Sequence, residues 1–266
     1  MSHKDADIVN LGWEERLHYR DRLRAARYAA LADAEGFGEI CFAVEALGLR
    51  LSRCQGDMWK YKVNIHHLSL DSLMFTELSS KFPGFFSRFD ALYETVREAR
   101  NDAMHTGAYA RHATSAAIEL CTGLEEALMG TQETGRITVA DFMVKASVSI
   151  EPWQPVAYAR QLMLMHSFSF LPVFMEGGWK LVSELAMAKY LNKPNAEKKK
   201  LLANSIDDAS KQSECGLQLI EAKTVQVSEV VSEIFKNVTV GQSSTLWLAV
   251  DENKRLVGVL SPFELM

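Results

Sequence analysis

Between residues 13 and 129 apolar side chains recur every three or four positions; beyond residue 137 they fall into shorter runs, some helical and some extended in spacing. The first pattern predicts helices throughout. They are expected at 13–34, at 39–53 (Ile40, Val44, Leu47, Leu51), briefly at 69–80, and from 85 through 105, where Phe85, Phe89, Leu92 and Val96 share one face. A last one runs from Ala113 to Met129 on Ala116, Ala117, Leu120, Leu124 and Leu128. Gly36-Phe37-Gly38 and Pro83-Gly84 interrupt the series, and residues 54–68, with Trp59, Tyr61 and His66-His67, read as less regular. Those rings could stack on and contact bases, or pack a loop against the helices. Gly130-Thr131-Gln132-Glu133-Thr134-Gly135 is polar and glycine-bounded, and marks the expected domain boundary at 131–136.

The second pattern reads as helix, strand, turn, strand, helix, twice over. A short helix opens at Thr138, Ser147–Ile150 is extended, and Val156–His166 is helical. Phe170–Phe174 and Trp179–Val182 are strands about the turn Glu176-Gly177-Gly178, and Glu184–Leu191 is a helix. The order recurs with a helix over 225–236, strands at 246–250 and 255–260, and a turn at 251–254. Residues 193–216, with Lys198-Lys199-Lys200, form a polar helix or linker between the copies, so the repeats are expected at 137–192 and 217–266.

Composition narrows the function classes. With 48% apolar and 24% charged residues in 266, the chain reads as two ordinary globular domains. No apolar run approaches membrane-spanning length and the first residues lack a signal-peptide core, so no membrane association and a cytoplasmic location are expected. Cys41, Cys54, Cys121 and Cys215 have neither metal nor redox spacing and read as reduced thiols. The net charge is −5, and residues 1–130 hold 15 Lys/Arg against 19 Asp/Glu. A general nucleic-acid binder should be basic; any RNA contact here must be local. Arg16, Arg20, Arg24 and Arg27 offer one such track along the first helix, or a solvated face paired with Glu14, Glu15 and Asp21.

The stretch Arg97-Glu98-Ala99-Arg100-Asn101-Asp102-Ala103-Met104-His105 carries the sharpest chemistry. A guanidinium grips phosphate through a planar fork, and an imidazole exchanges protons near neutrality. With no metal-ligand cluster nearby, the pair suits metal-free RNA cleavage by the ribose 2′-hydroxyl. An ordinary helix-end His beside a solvated Arg has the same spacing. Arg100 and His105, five positions apart, converge only if the helix breaks or two copies face each other.

The run Arg100–His105 resembles the Arg-polar-x-x-x-His signature of HEPN domains, over roughly residues 13–130 and most specifically 85–129. That resemblance implies an all-helical, dimeric, metal-independent endoribonuclease, in which Arg100 holds the scissile phosphate, Asn101 orients, His105 is the acid/base and Arg97 contacts substrate RNA. Some HEPN proteins have x-Tyr after the His as a modification site; here Thr106-Gly107 follow, and that regulation is not carried over. The second half resembles the CBS (cystathionine-β-synthase-like) repeat, which pairs in tandem around a cleft for adenosine nucleotides. Ser261-Pro262-Phe263-Glu264 matches that family's ribose-binding Ser/Thr-x-x-Asp/Glu, and is equally an ordinary capping box. At Ser183-Glu184-Leu185-Ala186 the acid is missing. The expectation is an α + α/β chain: a HEPN-like bundle (1–130) fused to a tandem CBS pair (137–266). Its implied partners are RNA, a second copy of the chain, an adenine nucleotide (AMP, ADP or ATP) as allosteric ligand, and an antitoxin or other regulatory protein. A non-catalytic nucleotide-sensing or dimerisation module is the alternative.

Overall fold

A computed structural model of the chain describes residues 10–106, 111–130, 137–145, 147–212, 216–236 and 246–265. The linker at 131–136, Cys215 and the side chain of His105 lie outside the described residues. The chain divides into two units, Met1–Glu133 and Thr134–Met266.

The first unit is helical. Its elements are α1 (Trp13–Ala32), α2 (Phe37–Ser52), α3 (Met58–Ser69), α4 (Ser79–Lys81), α5 (Phe89–Thr106) and α6 (Arg111–Met129). α1 packs chiefly on α6 and α2, α2 on α3, and α5 on α6. Leu23, Ile40, Val44, Leu47, Ile65, Val96, Leu120 and Leu124 fill the space between them and are fully buried. Two glycines set the closest approaches: a Cβ on Gly48 would meet Tyr61, and one on Gly123 would overlap the Phe75 ring.

Three expectations for this unit are corrected. Residues 58–69 are a helix, because Met58, Tyr61, Ile65 and Leu68 recur at three- and four-residue spacing and are buried together; Asp57 caps it, accepting from the Lys60 N–H at 3.0 Å. The helix expected at 69–80 is a π-helical turn, Met74–Leu78, running into α4. Glu126 on α6 anchors that turn by accepting from the Ser72 hydroxyl and, at 3.0 Å, from the Met74 N–H.

The arginine stripe on α1 is the third. It is buried against α6 rather than solvated or laid out as a track for RNA, while Arg20 keeps the expected pairing with Asp21 at 2.6 Å. Arg16 donates to the carbonyls of Ala127 (3.3 Å) and Leu128 (3.2 Å) in the last turn of α6, where carbonyls lack the usual partner four residues on. Arg27 forms a two-pronged pair with Glu125 at 2.7 and 2.9 Å, and Arg24 approaches the same carboxylate at 3.5 Å.

The second unit is a pair of interlocked repeats. The first holds α7 (Val139–Phe142), β1 (Val144–Lys145), α8 (Val156–His166), β2 (Phe170–Met175), β3 (Gly178–Ser183) and α9 (Glu184–Tyr190). After α10 (Asn195–Ala203) the second holds α11 (Ile206–Ser210), β4 (Leu219–Glu221), β5 (Lys223–Gln226), α12 (Val231–Lys236), β6 (Trp247–Val250) and β7 (Leu256–Leu260). Each repeat lends its leading strand to the other's sheet: the sheet orders are β2-β3-β4 and β1-β7-β6-β5. The parallel pairing of β5 with β6 has its counterpart in the single parallel bridge Ile150–Val173.

The opening helices are exchanged as well. Val139 of α7 is buried among Val225, Ile234, Trp247 and Leu260 of the second repeat, whereas Ile206 and Ala209 of α11 are buried among Val156, Leu171 and Val182 of the first. Both openings use one device, a Ser/Thr cap whose hydroxyl bonds an Asp three residues on: Thr138–Asp141 at 3.0 Å and Ser205–Asp208 at 2.7 Å. Residues 193–216, expected as a polar helix or linker, are therefore two elements: α10 rests Leu201 and Leu202 on the first repeat's core, while α11 belongs to the second repeat's opening. Val225 and Gln226, expected to open a helix, instead end the strand β5. There Val225 and its neighbours pair with Trp247–Val250, and the helix begins only at Val231.

Candidate functional site

α5 positions the Arg97–His105 stretch. Phe89, Leu92, Tyr93 and Val96 turn one face into the core, and Tyr93 fixes the helix further by donating from its hydroxyl to the Met58 carbonyl at 2.7 Å. That burial pushes the Tyr93 phenol well above its ordinary range, so it is a neutral hydrogen-bond donor. The polar face holds the candidate residues.

Arg97 is not a free cation. It pairs with Glu94 at 2.6 Å, lies over the Trp59 ring at 5.3 Å and approaches Glu98 at 3.7 Å. Glu94 is shared with Lys62, at 2.8 Å, and Lys62 also meets Asp90 at 3.0 Å. The Lys62 hydrogen bond, with Arg97 adding to it, holds Glu94 below the usual carboxylate range. Arg97 thus ties α5 to α3.

Arg100 meets a residue that no motif or spacing singles out. Glu45, on α2, places Oε1 2.9 Å from its guanidinium, with about 31% of the Arg100 side chain and 24% of the Glu45 side chain exposed. The approach is ionic rather than an aligned hydrogen bond, since Glu45 Oε1 is buried without a hydrogen-bond partner among the described residues. The fork also reaches the Asn101 side-chain oxygen at 3.5 Å, and Asn101 is exposed. The helix runs unbroken through His105 to Thr106. Five helical residues turn through about 140°, so Arg100 and His105 occupy well-separated positions around one axis. Of the adjacent histidines, His66 packs edge-on against Phe89 at 5.5 Å and His67 is exposed. Among the described residues no group of three or more His, Cys, Asp or Glu is placed to hold a metal ion, and no helix is long and apolar enough to cross a membrane.

In the second unit β7 delivers Ser261 to the edge of the repeat, where Pro262–Leu265 forms a 3₁₀ turn. The Ser261 N–H donates to Glu264 Oε2 at 2.8 Å, its hydroxyl donates to the same oxygen at 2.5 Å, and it accepts from the Phe263 N–H at 3.2 Å. All of these bonds to the carboxylate use Oε2, which leaves Oε1 for another donor. In the first repeat Ser183 accepts from the Ala186 N–H at 3.1 Å and Ala186 is buried in the core. The two repeats share a backbone device, and only the second carries a carboxylate on it.

No protein-family model matches the sequence, and no curated protein matches it. Solved CBS-domain structures are similar to about half of the chain. An acetoin utilization protein (AcuB) from Vibrio cholerae is 12% identical, over 49% of this chain and 87% of its own, with a TM-score of 0.38. CBSX2 in complex with AMP is 19% identical over 48% of this chain and 92% of its own, with a TM-score of 0.37. The CBS domain pair of MJ0100, in complex with 5′-methylthioadenosine and S-adenosylmethionine, is 17% identical over 49% of this chain and 93% of its own, at 0.37.

Proposed function

We propose that residues 134–266 are an adenine-nucleotide sensor of the CBS-pair type and that the helical unit is the element it controls. The observation that carries the reading is the Ser261–Glu264 arrangement at the end of β7 in an interlocked repeat. A carboxylate with one oxygen fixed by its own backbone and the other available is prepared to accept from the vicinal hydroxyls of a ribose, with no reorganisation cost on binding. Because the first repeat has Ala186 where the acid would stand, one ribose site per chain is expected. Calorimetry with AMP, ADP, ATP and S-adenosylmethionine tests it. Glu264→Gln should weaken the nucleotide that binds by about 10- to 100-fold, the worth of hydrogen bonds to a charged acceptor. Unchanged affinity would show that Glu264 is only a cap, and no binding by any of the four would end the sensor reading.

A second reading concerns the output. The unbroken α5 helix and the half-exposed fork of Arg100 favour a metal-independent endoribonuclease assembled from two copies, with Arg100 on phosphate, Asn101 orienting, His105 as acid/base and Arg97 as a supporting cation. Such an enzyme cleaves RNA in EDTA, leaves 2′,3′-cyclic phosphate and 5′-hydroxyl ends, and spares DNA. His105→Ala should cost about 10²–10⁴-fold. Full activity in that variant, or loss of activity in EDTA, would refute it.

A further inference from the structure

The first repeat carries a second cavity, built from residues other than Ser261 and Glu264. Helical spacing puts Arg160, Met163 and Leu164 on one stripe of α8 and Glu184, Met187 and Ala188 on one stripe of α9, with Ser167 and Leu191 following at the two helix ends. The two stripes, with Lys198 from α10, line an open groove of about 850 Å³. At the end of α8, Ser167 takes the left-handed conformation (φ 54°) and Phe168 follows it into the lining.

Its charge sets it apart from the rest of the chain. Three cations line it, Arg160, Lys189 and Lys198, against one carboxylate, Glu184. Other lysines of this acidic chain are held by carboxylates at short range, as Lys180 is by Glu176 (2.6 Å) and Lys211 by Asp207 (2.7 Å). Among the described residues Arg160, Lys189 and Lys198 form no ion pair, although they line one recess. The floor beneath them is apolar: Met163, Phe168, Met187 and Leu191. Three cations outside any ion pair against one carboxylate, an apolar floor and a volume within the range of about 300–1,000 Å³ typical of small-molecule sites specify the occupant.

We infer that this groove binds a phosphorylated small molecule, an anion of two or more charges on an apolar or aromatic body. It is a separate site from the ribose-binding one proposed above. Glu264 offers an acceptor and recognises hydroxyls; the α8–α9–α10 groove offers donors and recognises phosphate. α10 supplies Lys198 and lies between the two repeats in sequence, so occupancy would brace that connection.

The test uses the full chain with inorganic pyrophosphate, ADP and adenosine as probes in titration calorimetry. Pyrophosphate should bind, ADP more tightly, and affinity for both should fall as salt rises. The double variant R160Q/K198Q, changed at one exposed and one half-exposed side chain, should keep its circular dichroism and lose pyrophosphate affinity by at least about tenfold. E264Q should leave pyrophosphate binding unchanged. As an independent readout, bound pyrophosphate should shield Lys189 and Lys198 from acylation, followed by mass spectrometry. Pyrophosphate that fails to bind, or binds R160Q/K198Q as well as the natural chain, overturns the inference. So does pyrophosphate binding that is lost in E264Q and kept in R160Q/K198Q, which would assign the anion to the Glu264 site alone.

Discussion

Replacing Glu125 by Ala should destabilise the helical unit by about 2–4 kcal/mol. The carboxylate is one of few buried charges here, with about 9% of its side chain exposed, and it faces Arg27 at 12% and Arg24 at 16%. At the 2.7 and 2.9 Å separations of the Arg27 pair, the gross attraction is about 6 kcal/mol at an effective dielectric constant near 20. Most of that repays desolvation, so the pair's net worth is small. Removing one partner is different, because it strands two guanidinium groups in a dry crevice, and breaking such pairs typically costs about 3–5 kcal/mol. The crevice is not fully sealed, which lowers the expected loss. Urea unfolding followed by far-UV circular dichroism measures it. Two controls sharpen the reasoning. Glu77→Ala breaks an exposed pair with Lys81 and should leave the midpoint in place. The double change Glu125→Ala/Arg27→Ala should recover part of the loss, since one stranded charge goes with its partner. A loss below about 1 kcal/mol in Glu125→Ala, or no recovery in the double variant, would show that α1 and α6 are not held by this network.

Three further outcomes are expected. Gly123→Ala should destabilise the first unit by about 1–3 kcal/mol, because its Cβ would overlap the buried Phe75 ring and the turn before α4 must shift; the same urea assay reads it. Burial pushes the Cys41 thiol up to about 12 and Cys121 higher still, so alkylation near pH 8 should label exposed Cys54 and spare both until unfolding, as peptide mapping would show; their stabilising contribution is complete below about pH 9 and lost as pH rises towards 12. Glu45→Gln frees the Arg100 fork at a stability cost of about 1 kcal/mol or less, given the pair's partial exposure, and should raise affinity for single-stranded RNA if Arg100 is a phosphate ligand; unchanged RNA affinity would sever Arg100 from that role.

Where periodicity was strong and local the sequence was legible. α1, α2, α6, α8 and the two hairpins fall within a few residues of their expected places. The failures share a physical cause, which is that the deciding partner lies far along the chain. β1 and β4 are two and three residues long and exist because the opposite repeat supplies the edge they pair with. β5 has Val225 inside an otherwise polar run that matches helical spacing as well as strand spacing, and only pairing with β6 decides. Arg16, Arg20, Arg24 and Arg27 have one spacing whether they face solvent or a neighbouring helix; Glu125 and the last carbonyls of α6, about a hundred residues on, select the second. At the candidate site the Arg100 position was readable and its companion Glu45 was not, since a Glu on an apolar helix is also an ordinary surface residue.

The course of α5 allows a decisive experiment on the nuclease reading. The helix continues through His105, so one chain cannot bring that position round to Arg100 without unwinding the last turn. Arg100, moreover, already has a carboxylate beside it at 2.9 Å, which a substrate phosphate must displace. If catalysis uses both residues, each working site takes Arg100 from one copy and His105 from another. Arg100→Lys and His105→Ala should then each be inactive as pure proteins, the first because an ammonium cannot reproduce a bidentate fork. Mixed, unfolded and refolded together, they should regain activity. Half of the randomly formed dimers are heterodimers, and each of those holds one intact composite site of two, so recovery should be about a quarter of the natural rate. No recovery, in a mixture shown by mass spectrometry to contain heterodimers, would mean that Arg100 and His105 do not share a site across the interface. Activity in either pure variant would remove that residue from the chemistry. Recovery near a quarter would tie cleavage to dimer assembly, and assembly is an equilibrium that a nucleotide bound at Glu264 could shift only by binding the assembled and separate forms unequally.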